Sequence, residues 1–388
     1  MRDKHAIVRP IHLEPGRRVL VISDIHGNLP YLKGLLNKVS FSKDDILIVL
    51  GDMMERSVTS LDTLQYVMEL TRTHTVYPMM GNCDDITPVF VDNEPIPQSF
   101  YDFYFPRWGE KCAVIKMAQL AGSPIHGPED FPAAREAIQR MFPEELDFLR
   151  NLPTILLDDN YLFVHGGVPR ENRLDTLTRT QCLKNDNFLG QGHSFKRWVT
   201  VGHWPVTLYR PDIPSAKPIL LKDRHIASID GGCTLKLDGQ LNALILPEQP
   251  GGAFTWASYD GYPLMTALDD QQPNPNPINI RWGRSQLEVL EEGEEFCRCR
   301  HLESGRVLDI LTNYLRRDAK GVHCEDSTDY LLPVKAGDRL SIVQRTSRGT
   351  LAKKDGATGW YKGRLLSCEQ ESKQRKLQSA SPVFGSTY

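Results

Sequence analysis

Leu20-Val21-Ile22-Ser23-Asp24-Ile25-His26-Gly27-Asn28, Ile46-Leu47-Ile48-Val49-Leu50-Gly51-Asp52-Met53-Met54-Glu55-Arg56 and Val76-Tyr77-Pro78-Met79-Met80-Gly81-Asn82-Cys83-Asp84-Asp85 repeat one arrangement, an apolar run that ends in polar residues. Continuous apolar runs of this length read as strands buried on both faces. Between them Leu29, Leu32, Leu35, Leu36 and Val39, and then Leu61, Leu64, Val67 and Met68, recur at helical spacing. The segment reads as a βαβαβ unit. Such a unit forms a parallel sheet with right-handed crossovers and places its ligand site beyond the carboxyl ends of the strands. All three polar clusters fall at those ends. Asp24 and His26 are two apart at a strand end, where an extended chain points both side chains the same way, a spacing suited to chelation.

At 388 residues the chain has room for two domains, and its 40% hydrophobic and 24% charged residues are ordinary for a globular protein. A net charge of −3 gives no electrostatic reason to expect nucleic acid or an anionic membrane as partner. Met1 to Pro10 carries charges, and nowhere do about 18 apolar residues run together, so a soluble, cytoplasmic protein is expected. The eight cysteines follow no framework spacing and suit reduced thiols.

The first domain is expected over residues 1–270. A lead-in packs on the sheet, and a helical insertion at about 86–150, with the aromatic run Phe100 to Phe105 and a helix broken by Pro143, lies between polar motifs and is placed to roof the site. Thr154 to Leu157 and Tyr161 to Val164 read as a hairpin that delivers His165, and Trp198 to Val201 as a strand that delivers His203. Ile226 to Ile229 with Leu241 to Leu246 would complete a second sheet. The proline-rich stretch around Gln271 to Ile278 reads as an extended linker, taken over 271–284. Beyond it, 285–368 is strand-rich and similar to a Src-homology-3-like small barrel, and 369–388 reads as a disordered tail. Cys297, Cys299 and His301, with His323 and Cys324, alternate on strands but match no common zinc spacing, and buried strand cysteines are the better reading.

The ordered motifs Asp24-x-His26, Gly51-Asp52-x-x-x-Arg56, Gly81-Asn82-x-Asp84, His165-Gly166-Gly167 and Gly202-His203, closed by Ser228-Ile229-Asp230-Gly231-Gly232-Cys233, resemble those of the calcineurin-like metallophosphoesterases, closest to the bacterial phosphoprotein phosphatases. The resemblance covers roughly residues 17 to 247. It implies an α/β fold, a β-sandwich flanked by helices, and two divalent metal ions, manganese, iron or zinc. Asp24 and His26 would hold the first metal, Asp52 would bridge, and Asn82, His165 and His203 would hold the second. It further implies that a hydroxide between the metals attacks phosphorus in line, while Arg56, Asn82 and Asn28 bind phosphoryl oxygens.

Three departures bear on the substrate. Cys83 stands where the phosphatases carry a histidine as general acid, Glu55 where they carry a second aspartate, and Met80 where eukaryotic members carry an arginine. Gly-Asn-Cys-Asp resembles instead the small phosphodiesterase branch. Cys83 and Asp84 are still expected at the catalytic centre with Asp52, Asn82 and Arg56, and His126 of the insertion is a candidate replacement acid. The expected activity is a metal-dependent phosphatase acting on a phosphoprotein, of serine/threonine type. The alternatives are a nucleotide or dinucleoside-polyphosphate hydrolase, and an adaptor whose C-terminal barrel binds a peptide beside a vestigial metal domain.

Overall fold

The computed structural model describes residues 4–249 and 251–367, so the tail expected to be disordered lies outside the described residues. Strand β1 (Val8–Pro10) is followed by β2 (Val19–Ile22), helix α1 (Leu29–Lys38), β3 (Ile46–Val49), α2 (Ser60–Thr73) and β4 (Thr75–Pro78). Strands β2, β3 and β4 are parallel, with Val19 opposite Ile46 and Ile46 opposite Thr75, so their carboxyl ends align. The sequence sets the start of α1 locally. The Asn28 side chain accepts the Tyr31 amide at 3.2 Å, and Pro30 in the first turn gives up an N–H that has no helical partner.

After the insertion come β5 (Ile155–Leu157), β6 (Tyr161–Val164), β7 (Trp198–Val201), β8 (Ile219–Leu221), β9 (Ile226–Ser228), β10 (Leu241–Ile245) and β11 (Thr255–Tyr259). They complete two sheets, of order β11-β10-β2-β3-β4 and β1-β5-β6-β7-β9-β8. The hairpin β5–β6 forms as expected, and the lead-in joins that sheet as an edge strand parallel to β5. One expectation is corrected. Leu241 to Ile245 does not join Ile226 to Ser228 in the second sheet but pairs antiparallel with β2 in the first, Ala243 opposite Ile22. Its apolar side chains fit either sheet, and only the pairing partner separates the two.

Val21, Ile48, Leu50 and Leu244 from one sheet and Leu156, Phe163, Ala227 and Ile229 from the other share one buried cluster, so the sheets face each other as a sandwich. Leu20, Ile22, Leu47 and Val49 point the opposite way, onto Leu32 and Leu35 of α1 and Leu64 and Val67 of α2. Alternate residues of one apolar run thus serve two cores, which explains why the runs are unbroken. The insertion has a core built from Phe90, Phe105, Met117, Phe131, Ile138 and others on the helices Ile86–Val91, Phe105–Trp108, Ala113–Leu120, Phe131–Met141 and Pro143–Arg150.

The described residues divide into two compact units, the first ending at Gly261 and the second made of Arg210–Ser215 and the residues from Tyr262 onward. The division therefore falls before residue 270. Residues 271–284, expected as a linker, are instead bound into the second unit. The Gln271 amide donates to Val334 O at 2.8 Å, and Asn279–Ile280 pairs with Ser327–Thr328. Proline there limits ladder hydrogen bonds without preventing side-chain and edge contacts. The second unit is β-rich as expected, but its described strands lie in two five-stranded antiparallel sheets and that two-stranded pair, and not in one small barrel. Cys297 and Cys299 are buried among Ile280, Leu287, Phe296 and Ile310. None of the seven described cysteines is in a disulfide. Among the described residues no helix is long and apolar enough to cross a membrane.

Candidate metal centre

The turns that leave β2, β3 and β4 are laced together by their own peptides. The amides of Asp24, His26 and Gly27 donate to the carbonyls of Gly51, Asp52 and Met53 at 3.1, 2.9 and 2.8 Å. The Cys83 amide donates to Asp52 Oδ1 at 2.8 Å. So close an approach requires glycine at Gly81, where a Cβ would lie 2.1 Å from both the nitrogen and Oδ1 of Asp52. Asp24, His26, Asp52 and His203 all sit at positive φ, between 48° and 66°. Left-handed backbone at a residue other than glycine is costly and gathers at functional sites.

Asp52 is the hub. Two groups of side chains bring ligand atoms within 4.8 Å of one another, Asp24 with Asp52 and His165, and His26 with Asp52 and Cys83. His26 Nε2 is 3.8 Å from Asp24 Oδ1 and 3.7 Å from Asp52 Oδ2, while His165 Nε2 is 3.4 Å from Asp52 Oδ1 and 3.2 Å from Asn82 Oδ1. Both remaining histidine contacts set a tautomer. His165 Nδ1–H donates to the Leu50 carbonyl at 2.9 Å, which leaves Nε2 facing the cluster. His203 Nε2 is 2.8 Å from Asp186 Oδ1, so Nε2 carries the proton and Nδ1 keeps its lone pair. The His203 amide also donates to Asp24 Oδ2 at 2.9 Å, and the Ser23 hydroxyl donates to the same oxygen.

Charge in this buried cluster is uneven. Burial works against an ionised Asp52, but His165 and His26 hold it well below the usual carboxylate range. Burial likewise opposes a charged His165, yet Asp52 and Asp24 raise it to about 10. Burial lifts Asp24 to about 6, lowers His26 to about 3, and, with the repulsion of His165 and Lys184, lowers His203 to about 4. Burial thus favours neutral His26 and His203, the form a metal ligand takes, while Asp52 and Asp24 favour a positive charge at His165. Asp24 Oδ1 and His26 Nδ1 are buried with no hydrogen-bond partner. Orphaned oxygen and nitrogen donors around a shared carboxylate fit divalent metals of the manganese, iron and zinc kind.

The other expected residues divide. Asn82 faces His165 and donates through Nδ2 to Cys83 Sγ at 3.4 Å. Arg56 Nη2 donates to the same sulfur at 3.7 Å, its guanidinium rests 5.6 Å from the Trp108 ring centre, and its buried Nε has no partner. No carboxylate pairs with it among the described residues. Asp84, expected at the catalytic centre, accepts the amides of Met53, Met54 and Gly81 at 2.9, 3.0 and 3.0 Å, so it braces the loops. Asn28, expected on phosphate, caps α1 and donates to Thr234 Oγ1 at 3.4 Å. His126 is exposed, and its amide donates to Asp130 at 2.8 Å.

Glu55 turns away from the cluster and ties the insertion down. It accepts the Tyr104 hydroxyl and the Ala113 amide, each at 2.9 Å, with Cys112 Sγ at 3.7 Å. Sequence reasoning missed Asp186, Trp108 and Tyr104 as neighbours of the site. Trp108 and Tyr104 fall within or just after the aromatic run, which was the available signal. Asp186 lies in Lys184-Asn185-Asp186-Asn187, where no local pattern distinguishes it from a polar loop.

The family model described as calcineurin-like phosphoesterase matches residues 17–229. Among solved structures, a provisionally assigned diadenosine tetraphosphatase is 18% identical with a TM-score of 0.42, covering 66% of this chain and 100% of that one. A metallophosphoesterase from Sphaerobacter thermophilus is 16% identical at 0.36, covering 63% and 88%. A serine/threonine phosphatase from Saccharomyces cerevisiae is 12% identical at 0.38, covering 66% and 84%. No curated protein matches the chain.

Proposed function

The chain belongs to the calcineurin-like phosphoesterases, and from that premise we propose that it is a phosphatase for monoesters and anhydrides whose leaving group departs without a proton. It is a phosphoric ester hydrolase of a family that uses two divalent metal ions. The observation that supports a two-metal site is Asp52, shared by both ligand groups, although those groups set Asp24 with His165 and His26 with Cys83 and include neither Asn82 nor His203. Asp24 and His26 would hold one ion with it, and Asn82, His165 and His203 the other. When bound, such a pair supplies a nucleophile at neutral pH and neutralises charge on the phosphoryl group.

The chain's own residues do the rest. Arg56, unpaired and seated on Trp108, is available to a phosphoryl oxygen, and a guanidinium fork suits that geometry. Among the described residues, none of the expected candidates is placed to give the leaving group a proton. Burial and the Asp52 charge keep Cys83 well above the usual thiol range, so its proton is held too tightly to be given up early. The carboxyls of Asp84 and Glu55 are engaged with backbone and insertion. A serine alkoxide needs a proton in the transition state, and a positioned acid contributes about 10²–10⁴-fold. Aryl phosphates and phosphoanhydrides do not need it. This favours the nucleotide-type alternative over a serine/threonine-type protein phosphatase, and the buried Asp24, His26, Asp52 and His165 gathered together speak against a vestigial metal domain.

The test is a panel of 4-nitrophenyl phosphate, ADP, a phosphoserine peptide and cyclic AMP, with manganese, zinc or iron added, for wild type and Asp52→Asn. The first two should exceed the peptide by about 10²-fold or more, and Asp52→Asn should lose turnover and bound metal together. Full activity and two tightly held ions in Asp52→Asn would overturn the metal assignment. Fastest turnover of phosphoserine would overturn the leaving-group argument.

A further inference from the structure

Arg107 and Trp108 stand in the insertion, outside every motif that led to the metal centre. The guanidinium carbons of Arg56 and Arg107 lie 5.6 and 5.5 Å from the centre of the one indole. Neither arginine is paired with a carboxylate among the described residues. A run of positive charge thus leads from Cys83 Sγ, 3.7 Å from Arg56, to the exposed Arg107, and among the described residues no carboxylate forms an ion pair with either guanidinium. The buried Nε of Arg56, without a hydrogen-bond partner, is a second sign that an acceptor is missing here. Glu55 fixes the height of this element by binding Tyr104 and Ala113, on either side of Arg107 and Trp108 in sequence.

We propose that Arg107, held beside Trp108, is a second anion subsite that binds the departing phosphate of a phosphoanhydride substrate such as a nucleoside diphosphate. The proposal rests on the phosphoesterase reading of the metal centre. In this reaction a water oxygen forms the new bond to phosphorus and releases its proton to solvent. The anhydride P–O bond breaks, and its electron pair leaves with the bridging oxygen, which becomes a terminal oxyanion of the departing phosphate. No proton reaches the leaving group, in keeping with Cys83 in the place of an acid. The negative charge that appears on the leaving phosphate is what Arg107 meets, as Arg56 meets the phosphoryl group being transferred. The Trp108 ring positions both guanidinium groups, since a cation over an indole face is attracted to it and loses side-chain freedom.

The experiment compares wild type, Arg107→Gln and Arg107→Lys on ADP and on 4-nitrophenyl phosphate, two substrates with good leaving groups of which only ADP carries a second phosphate. In Arg107→Gln the ratio of kcat/KM for ADP to that for 4-nitrophenyl phosphate should fall about tenfold, as expected for one half-solvated charged hydrogen bond, with part of the loss in KM. Arg107→Lys should recover part of it, because the charge stays and the fork is lost. Titration calorimetry with α,β-methylene-ADP reads the same subsite without turnover, and Arg107→Gln should bind about tenfold more weakly. An unmoved ratio and unmoved binding overturn the proposal, as does an equal loss on both substrates, which would mark a structural role. Wild type inactive on both substrates would instead refute the phosphoesterase reading, and the calorimetry would still decide the subsite.

Discussion

Gly81→Ala places a single methyl group against the hub of the metal centre. A Cβ at this position would lie 2.1 Å from the nitrogen and from Oδ1 of Asp52, and 2.9 Å from its Cα. Non-bonded heavy atoms settle at roughly 3.5–4.0 Å, so the methyl lacks on the order of 1 Å of room. Two of the three obstacles are backbone atoms, and the third is an expected ligand oxygen that also accepts the Cys83 amide. None is the end of a flexible chain, so Asp52 must move with its peptide. Overpacking of this kind costs about 1–3 kcal/mol of stability, and a displacement of about 1 Å at the reacting centre costs on the order of 10²-fold in rate. Chemical denaturation, metal content by mass spectrometry and kcat on 4-nitrophenyl phosphate read the three consequences separately. Gly202→Ala is the comparison, because its Cβ would meet side chains and no distant backbone, Ser23 Oγ at 1.9 Å, which can rotate away, and Asp24 Oδ2 at 2.3 Å, an expected ligand oxygen that would also be disturbed. Gly81→Ala should be the more damaging to activity. A Gly81→Ala protein with two bound ions and a rate within threefold of wild type would refute the reasoning that backbone contact between the turns fixes Asp52.

Cys83→His should raise the rate on alkyl phosphates more than on aryl phosphates, but by less than the about 10²–10⁴-fold of a positioned acid, because Asp84 and Glu55 are engaged and cannot orient the ring. A wild type with a flat dependence on leaving-group pKa, chemistry being rate-limiting, would show another acid at work. Glu55 is raised by burial from 4.5 to about 7, so the folded protein binds its proton more tightly than the unfolded chain and wild type loses stability as pH rises between those values. Glu55→Gln escapes that loss, and its stability relative to wild type should improve from pH 5 to pH 8 by at most about 3 kcal/mol; a constant gap in denaturation of the metal-free protein refutes this. A chain ended at Gly261 should keep metal and activity on an aryl phosphate, since every expected ligand precedes that point; a folded, metal-bound but inactive product would show that the second unit contributes.

The candidate metal centre was legible in the sequence because the expected ligands Asp24, His26, Asp52 and Asn82 sit where apolar runs stop, and apolar periodicity is a strong local signal. What it could not show was what each polar side chain turns toward. Asp84 and Glu55 are carboxylates in the right motifs, yet one braces three amides and the other anchors the insertion, and both outcomes depend on backbone far away in the chain. Leu241 to Ile245 was legible as a strand and not as a partner of β2, because pairing is a tertiary choice that the strand's own residues do not encode. The stretch 271–284 misled through composition, for proline limits ladders but does not keep a segment from packing. In the second unit, Tyr330 to Val334 has the residues of a strand and makes only isolated bridges, through Leu331 and Val334.

The strain at the centre links fold to chemistry. Asp24, His26, Asp52 and His203 hold left-handed backbone, each at about 1–3 kcal/mol, which together is comparable with the whole net stability of a typical domain, about 5–15 kcal/mol. Such a cost is sustained only where the strands on either side cannot relax. The unbroken apolar runs provide that restraint, since Val21 and Ile48 lock one face into the sandwich while Leu20, Ile22, Leu47 and Val49 lock the other onto the helices. A strand buried on one face could tilt and relieve its terminal residue. A strand buried on both faces cannot, so Asp24, His26 and Asp52 stay turned toward one another whether or not a cation is between them. The double burial that made these runs readable as strands is therefore the same physical fact that holds the candidate ligands Asp24, His26 and Asp52 in place.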